Sequence, residues 1–303
     1  MNLRDLEYLV AVADHGSLRK AAVAVGVSQP TLSEQIKRLE VDLDAELLDR
    51  TTTPSGLTPV GEEVVARARR LLQDAEEIRE AARQRPAEEA STLRLGVFPT
   101  LGAYLLPTVL AGVREKFPQV DLLLTERKTT SLVRMLDEGT LDAIVVALPV
   151  AGRPDLEVRP LFREDFLLVI PRGHDLAGDG PIRARDVVDT EFILMADGHC
   201  LADQVSAWLA AIGGRPRQDY RATSLESLRS MVATGAGATL LPALALQAPG
   251  PLGETMVTRE VTDPVPSRDL ALVWRRGSTR TNLLHRLADA LVPVGAPHVV
   301  PLG

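Results

Sequence analysis

Leu3, Leu6, Leu9, Val10 and Ala13 repeat at helical spacing and predict an amphipathic helix that ends near Gly16. A second short helix, Leu18 to Ala24, follows with Ser17 as its cap and breaks at Gly26, a residue free to turn left-handed. Ser28 caps a third, with Pro30 in its first turn and Leu32, Ile36, Leu39 and Leu43 as its apolar stripe. Helix, glycine turn, helix is the layout in which the second helix enters the major groove of DNA. From 60 to 85 the pattern lengthens. Val64, Ala68, Leu71, Ala75, Ile78 and Ala82 step by four and three along one helix, the seam of a coiled coil, flanked mostly by charges. Beyond the polar, proline-interrupted stretch Gln84 to Ser91, strand-like runs (Leu93–Val97, Val120–Thr125, Leu141–Leu148, Phe166–Ile170, Phe192–Met195, Ala238–Leu241, Asp269–Trp274) alternate with helical ones. One of those helices opens at Thr223-Ser224-Leu225-Glu226, a capping-box pattern. Such alternation predicts an α/β domain of parallel sheets covered by helices, and its length suggests two lobes.

Composition sharpens this reading at one point. The 303 residues are 45% hydrophobic and 25% charged with a net charge of −7, so any contact with nucleic acid must come from a local patch rather than from bulk charge. Residues 17 to 38 supply one: Arg19, Lys20, Lys37 and Arg38 face only Glu34. No signal peptide opens the chain and no apolar run approaches a membrane span, so a cytoplasmic protein with no membrane partner is expected.

The chain has a single cysteine, Cys200, which rules out an intrachain disulfide or a cysteine-rich metal site. It sits where the apolar run Phe192–Met195 gives way to Asp197-Gly198 and a helical pattern of Leu201, Val205, Trp208 and Leu209. A cysteine in or beside a first helical turn meets unpaired amide N–H groups and the positive end of the helix dipole, which favour a thiolate. His199 adds to this if it is protonated or donates a hydrogen bond. The plain alternative is a small buried hydrophobe. Enzyme signatures are lacking: Gly235-Ala236-Gly237-Ala238-Thr239 misses the third glycine and preceding strand of a dinucleotide fingerprint, and the five histidines are too scattered for a metal set. No enzyme activity, cofactor or metal is expected.

Ser17-Leu18-Arg19-Lys20-Ala21-Ala22 together with Val27-Ser28-Gln29-Pro30-Thr31-Leu32-Ser33 resembles the winged helix-turn-helix of LysR-type transcriptional regulators, with Leu47-Leu48-Asp49-Arg50 and the turn-rich stretch after it as the wing. The resemblance implies that Ser28, Gln29, Pro30, Thr31 and Ser33 approach DNA, the glutamine, proline and Ser33 at base edges, while Lys37, Arg38 and Arg50 hold phosphates. It implies an all-α-type winged helix-turn-helix at 1–58, a dimerisation helix and hinge at 59–89, and an α/β regulatory domain at 90–303. That domain would comprise two Rossmann-like lobes similar to periplasmic binding proteins, 93–163 with 269–303, and 164–268. The stretches Leu194–Gln204, Arg221–Arg229 and Leu240–Ala245 are similar to the peroxide-sensing members of the family.

This closer likeness implies that Cys200 attacks hydrogen peroxide, with His199, Thr100, Thr129, Asp203 and Arg268 polarising the thiol or holding peroxide and water. The partners implied are double-stranded promoter DNA, hydrogen peroxide, a homodimer or homotetramer, and RNA polymerase. Two-cysteine members resolve the oxidised sulfur with a cysteine nine residues on; here that position is Leu209. A sulfenic acid, a mixed disulfide with a small thiol and an interchain bond between two Cys200 residues remain as oxidised forms. Two other readings remain open: a metabolite-responsive regulator with a ligand in the interlobe cleft, and a peroxide-consuming thiol enzyme.

Overall fold

The computed structural model describes residues 1–49, 56–82, 92–150, 152–247 and 255–303. Chain contacts divide it into two compact units, Met1–Ala87 with Arg134–Leu141, and Glu88–Val133 with Asp142–Gly303.

In the first unit, α1 (Leu3–His15), α2 (Leu18–Ala24) and α3 (Gln29–Leu43) start and stop where their caps dictate. Asn2 and Asp5 exchange side-chain to backbone hydrogen bonds of 3.1 and 2.8 Å at the head of α1, and Ser28 accepts from the Thr31 amide at 3.2 Å at the head of α3. Gly26, at φ 71°, makes the turn between α2 and α3. Leu9, Val12, Ala21, Leu32, Ile36 and Leu39 are fully buried together, the apolar faces expected from periodicity. Each such side chain contributes roughly 1.5–3 kcal/mol by leaving water. Strands β1 (Leu48–Asp49) and β2 (Gly56–Leu57) pair antiparallel as the legs of a wing. Helix α4 (Pro59–Ala82) then begins against Leu47, so close that a Cβ on Gly61 would collide with the Leu47 carbonyl. Val65 buries into the unit's core and Ala68 is buried too, while Leu71 and Ile78, one and three turns beyond Ala68, are 48% and 70% exposed.

In the second unit, β3 (Thr92–Val97), β4 (Asp121–Glu126) and β5 (Ala143–Ala147) are parallel neighbours, connected through α5 (Pro99–Lys116) and α6 (Thr129–Asp137). The longest strand, β6 (Leu156–Pro171), runs 16 residues. Its first part pairs antiparallel with β13 (Ser267–Arg275), its last with β10 (Thr239–Pro242) and β11 (Met256–Arg259). β13 also pairs antiparallel with β5, giving the order β10-β6-β13-β5-β3-β4. The sheet is therefore mixed where the alternation of strands and helices predicted parallel pairing. β13 enters the sheet antiparallel to both of its neighbours, β5 and β6, a direction that strand and helix alternation alone does not specify. Sequence periodicity also finds only the second half of β6, because Glu157, Arg159, Arg163 and Glu164 interrupt the apolar run of the first.

A second apolar core, from Phe166 through Val261, surrounds β8 (Phe192–Met195), which pairs parallel with β9 (Pro216–Ala222). It takes in α7 (Cys200–Ile212) and α8 (Leu225–Ala233). The cap of α8 is Ser224, accepting from the Ser227 amide at 3.1 Å, one residue later than the Thr223 of the expected capping box. Helix α9 (Ala243–Gln247), helix α10 (Thr281–Ala290) and two further short pairings complete the unit, β12 (Val261–Thr262) on β7 (Ile182–Arg183) and β14 (Val299–Pro301) on β6. Among the described residues no helix is long and apolar enough to cross a membrane.

Candidate functional site

Cys200 is the first residue of α7, immediately after β8 and a left-handed Gly198 (φ 81°). A side chain at 198 would be strained by that backbone and would also meet the Lys128 ammonium. His199 is the N-cap, but its ring makes no capping bond; its carbonyl accepts from the Ala202 amide at 2.9 Å. The sulfur is half-buried.

The groups that favour its ionised form are the Arg268 guanidinium, the Thr100 hydroxyl, the Leu201 amide and the Thr129 hydroxyl. Thr100 lies in the first turn of α5, Thr129 is the first residue of α6, and both helices open at the carboxyl ends of neighbouring parallel strands. Three helix N-termini thus bring positive dipole ends to one sulfur. Burial nevertheless outweighs them, and the thiol is pushed up from its ordinary value. This corrects the expectation of a thiol made acidic by its place on the helix. The sulfur is more enclosed than a position at a helix start implies, and desolvation penalises charge over the whole thiolate.

His199 is likewise pushed down, first by burial and then by Lys128, so it is a neutral imidazole at neutral pH and lends the sulfur no positive charge. Asp203 is exposed on the first turn of α7. The structure thus brings Thr100, Thr129 and Arg268 to bear on Cys200, with His199 adjoining along the chain, and leaves Asp203 at the surface.

Arg268 lies on β13 directly opposite Glu164 on β6, and the two form a fully buried ion pair with Nη2 to Oε2 at 2.7 Å and Nε to Oε2 at 2.8 Å. Its guanidinium packs over the rings of Phe98 and Phe166 at 5.3 and 5.7 Å and donates weakly to the Thr100 carbonyl at 3.4 Å. Arg268 Nη1 and Gln204 Oε1 are buried and make no hydrogen bond within the chain, and Thr100 Oγ1, also buried, has no partner there but the Cys200 sulfur. Buried polar atoms in native structures are nearly always paired, so Arg268 and Thr100, which both act on the sulfur, keep bonding capacity for a small polar molecule. Arg268 and Gln204 also border a cavity of about 380 Å³ lined by Leu148, Pro149, Arg163, Ser267 and Asp269.

Gln204 was legible at four residues past Cys200 on one helix face. Glu164 carries no local sequence signal, because only the cross-strand register places it. Among the described residues no group of histidine, cysteine and acidic side chains could hold a metal ion.

The raised thiol has a direct kinetic consequence. Only the thiolate is a nucleophile, so alkylation of Cys200 by iodoacetamide should accelerate about tenfold per pH unit through neutrality, and its midpoint should lie above the value of about 8.5 for a free thiol. Urea-unfolded protein should titrate earlier. A folded midpoint below that of the unfolded chain would show that dipoles and Arg268 outweigh burial.

In the first unit, Gln29, Pro30 and Thr31 are exposed at the start of α3, as are Lys37 and Arg38 two turns on, and Ser33 is half-buried. Ser28 is exposed but engaged as the helix cap, its hydroxyl 2.7 Å from that of Thr31. Arg50 lies outside the described residues. On α4, Val64 packs beside the core, Ala68 is buried, Ala75 is half-buried, and Leu71 and Ile78 are exposed. Ala82 is the last helical residue.

Residues 3–62 match the bacterial regulatory helix-turn-helix proteins of the lysR family, and residues 86–296 match the LysR substrate binding domain. The chain is 40% identical over 291 residues to the DNA-binding transcriptional dual regulator OxyR of Escherichia coli K12, covering 96% of this chain and 95% of that one. Among solved structures it resembles a full-length OxyR from Pseudomonas aeruginosa in which a cysteine is replaced by aspartate. There the TM-score is 0.83 and the identity 33%, over 96% of this chain and 94% of that one. It also resembles a hydrogen-peroxide-bound cysteine-to-serine mutant of Corynebacterium glutamicum OxyR, with a TM-score of 0.63 and 30% identity over 96% and 93% of the two chains. Matched along both of its parts, the chain belongs to the LysR family of bacterial helix-turn-helix regulatory proteins.

Proposed function

We propose that this protein is a cytoplasmic transcriptional regulator that senses hydrogen peroxide through oxidation of Cys200 and passes the change to promoter DNA. The observation that carries the reading is the set of buried polar atoms with bonding capacity left over, Arg268 Nη1, Thr100 Oγ1 and Gln204 Oε1, the first two acting on the sulfur, in a chain similar to OxyR over nearly its whole length. Hydrogen peroxide is small and both donates and accepts, which suits one guanidinium N–H, one hydroxyl and one amide oxygen. The Cys200 thiolate attacks one peroxide oxygen, the O–O bond breaks, and the departing hydroxide takes up the thiol's proton to leave as water. The sulfur is oxidised to a sulfenic acid and the peroxide is reduced. Arg268 and Thr100 donate toward the oxygen on which negative charge develops, the usual way a fixed site lowers such a barrier.

With Leu209 fully buried at the position of a resolving cysteine, the sulfenic acid itself or a mixed disulfide with a small thiol carries the signal. An interchain bond between half-buried sulfurs would need α7 to open first. In either favoured form the added polar bulk sits at the start of α7 and shifts the arrangement that DNA sees. The direct test is the intact mass of the pure protein after graded peroxide, read beside its operator footprint. A gain of one oxygen together with an altered footprint supports the reading, and an unchanged footprint after full oxidation defeats it.

The DNA-binding reading rests on α3, whose exposed Gln29, Pro30 and Thr31 precede Lys37 and Arg38. A homodimer, or a tetramer built from it, forms through α4 and presents two recognition helices to a two-fold operator, where RNA polymerase is the further partner. Leu71 and Ile78 are too exposed to be left in water on a helix with so clear an apolar seam. Replacing both with aspartate should raise the dimer dissociation constant by about a hundredfold or more, since each side chain buried is worth roughly 1.5–3 kcal/mol and 1.4 kcal/mol is a factor of ten. Sedimentation equilibrium of the full chain measures it, and an unchanged constant removes α4 from the interface.

The cavity beside Gln204 and Arg268 favours a second reading, a metabolite-responsive regulator. That reading requires an effector response that survives loss of the Cys200 sulfur.

A further inference from the structure

Glu164 is a buried carboxylate that the chemistry above leaves unassigned. Its side chain is fully buried, and it stands on β6 between two partner strands, β13 through Arg268 and β14 through Val299. One carboxylate oxygen accepts from the Leu244 amide at 2.8 Å at the start of α9, and the other accepts both Nε and Nη2 of Arg268. Three donors thus hold the carboxylate, and the guanidinium is gripped along one edge with Nη1 left over. Two aromatic rings close the guanidinium's surroundings, while the cavity it borders offers it another place to lie.

We propose that Glu164 is a positioning residue for the Cys200 reaction, holding the Arg268 guanidinium beside the sulfur and out of the adjoining cavity. This rests on the peroxide-sensing reading and deepens it. An unanchored guanidinium in a low-dielectric site moves toward water, because a buried charge without its partner is strongly disfavoured. In a Glu164→Gln protein the side-chain amide can accept from Leu244 or from Arg268 but not from both, and its own NH₂ faces donors on the remaining side. Arg268 then turns into the cavity, and the strongest group favouring the thiolate is lost.

The competing role for Glu164 is that of a mere counter-charge, and it predicts the opposite sign. If Arg268 stays in place when the negative charge goes, the sulfur faces a less neutralised cation and ionises more easily.

The test compares full-length wild type, Glu164→Gln and Glu164→Asp. It reads the pH midpoint of iodoacetamide alkylation at Cys200, the second-order rate of peroxide oxidation by intact mass, and the fold by circular dichroism. The expected result for a folded Glu164→Gln protein is an upward shift of the alkylation midpoint and a fall in peroxide rate of about tenfold at neutral pH, a unit of pKa being a factor of ten in thiolate. Glu164→Asp, which keeps the charge but withdraws it by one methylene, should shift both in the same direction by less. A midpoint that stays or moves down in folded Glu164→Gln overturns the proposal. If that variant does not fold, a folded Glu164→Asp protein with wild-type midpoint and rate overturns it instead. Failure of the wild type to react with peroxide would strike the sensing reading, while the alkylation midpoints would still decide the placement of Arg268.

Discussion

Cys200→Ser protein should gain no oxygen from peroxide, and its operator footprint should be the same before and after treatment, while its affinity for that operator matches reduced wild type. A serine hydroxyl at this position has no nearby base to activate it. The ring of His199 makes no capping hydrogen bond to the head of α7, and the donors around the site stabilise an anion that serine does not form at neutral pH. The fold should survive, because the side chain is isosteric but for the smaller oxygen and occupies the first turn of α7, where a hydroxyl is well tolerated. A stability change of about 1 kcal/mol or less is expected. DNA binding should persist because every proposed contact lies in α3 and the wing, in a different compact unit from Cys200. Peroxide titrations followed by mass spectrometry and footprinting check both halves at once. A footprint that still changes with peroxide would locate the sensor somewhere other than this sulfur, and no other cysteine exists to serve.

The parts of this molecule that could be read from the chain are those whose determinants are local. Asn2, Ser17 and Ser28 cap α1, α2 and α3, Gly16 and Gly26 end or turn them, and the stripe of Leu32, Ile36 and Leu39 is the buried face of α3. Cys200 at the head of a helix after a buried strand is local in the same sense. The antiparallel return of β6 and β13 is not, because nothing near Leu156 or Ser267 in the sequence says which strand lies beside them. The acidity of Cys200 failed for a related reason. A helix start contributes a dipole that is visible from sequence, whereas the burial that raises the thiol, and the Thr100, Thr129 and Arg268 groups that work against it from 68 to 100 positions away, are set by the tertiary fold. Resemblance to a family named those three residues. The grip of Glu164 on Arg268 could be recovered only from the register that sets them opposite each other, 104 residues apart.

That grip carries the largest expected effect on stability. Arg268→Ala leaves the Glu164 carboxylate fully buried with one remaining donor, the Leu244 amide. Breaking a buried pair from one side costs about 3–5 kcal/mol, because the surviving charge keeps its desolvation penalty and loses its compensation. This is a large share of the roughly 5–15 kcal/mol that holds a typical domain together. The same variant should also slow peroxide oxidation, so activity alone cannot separate an unfolded sensor from a folded one lacking its cation. A double substitution does. Glu164→Leu with Arg268→Met removes both charges and refills the space between Phe98 and Phe166 with apolar atoms, and should recover part of the lost stability in urea unfolding, short of the full amount because the Leu244 amide loses its acceptor, while oxidation of Cys200 stays slow. Recovery of stability without recovery of reactivity would establish that the pair is kept for what the guanidinium does to the sulfur. If the double variant oxidises as fast as wild type, Arg268 has no part in the chemistry and the pair is only a fastening between β6 and β13.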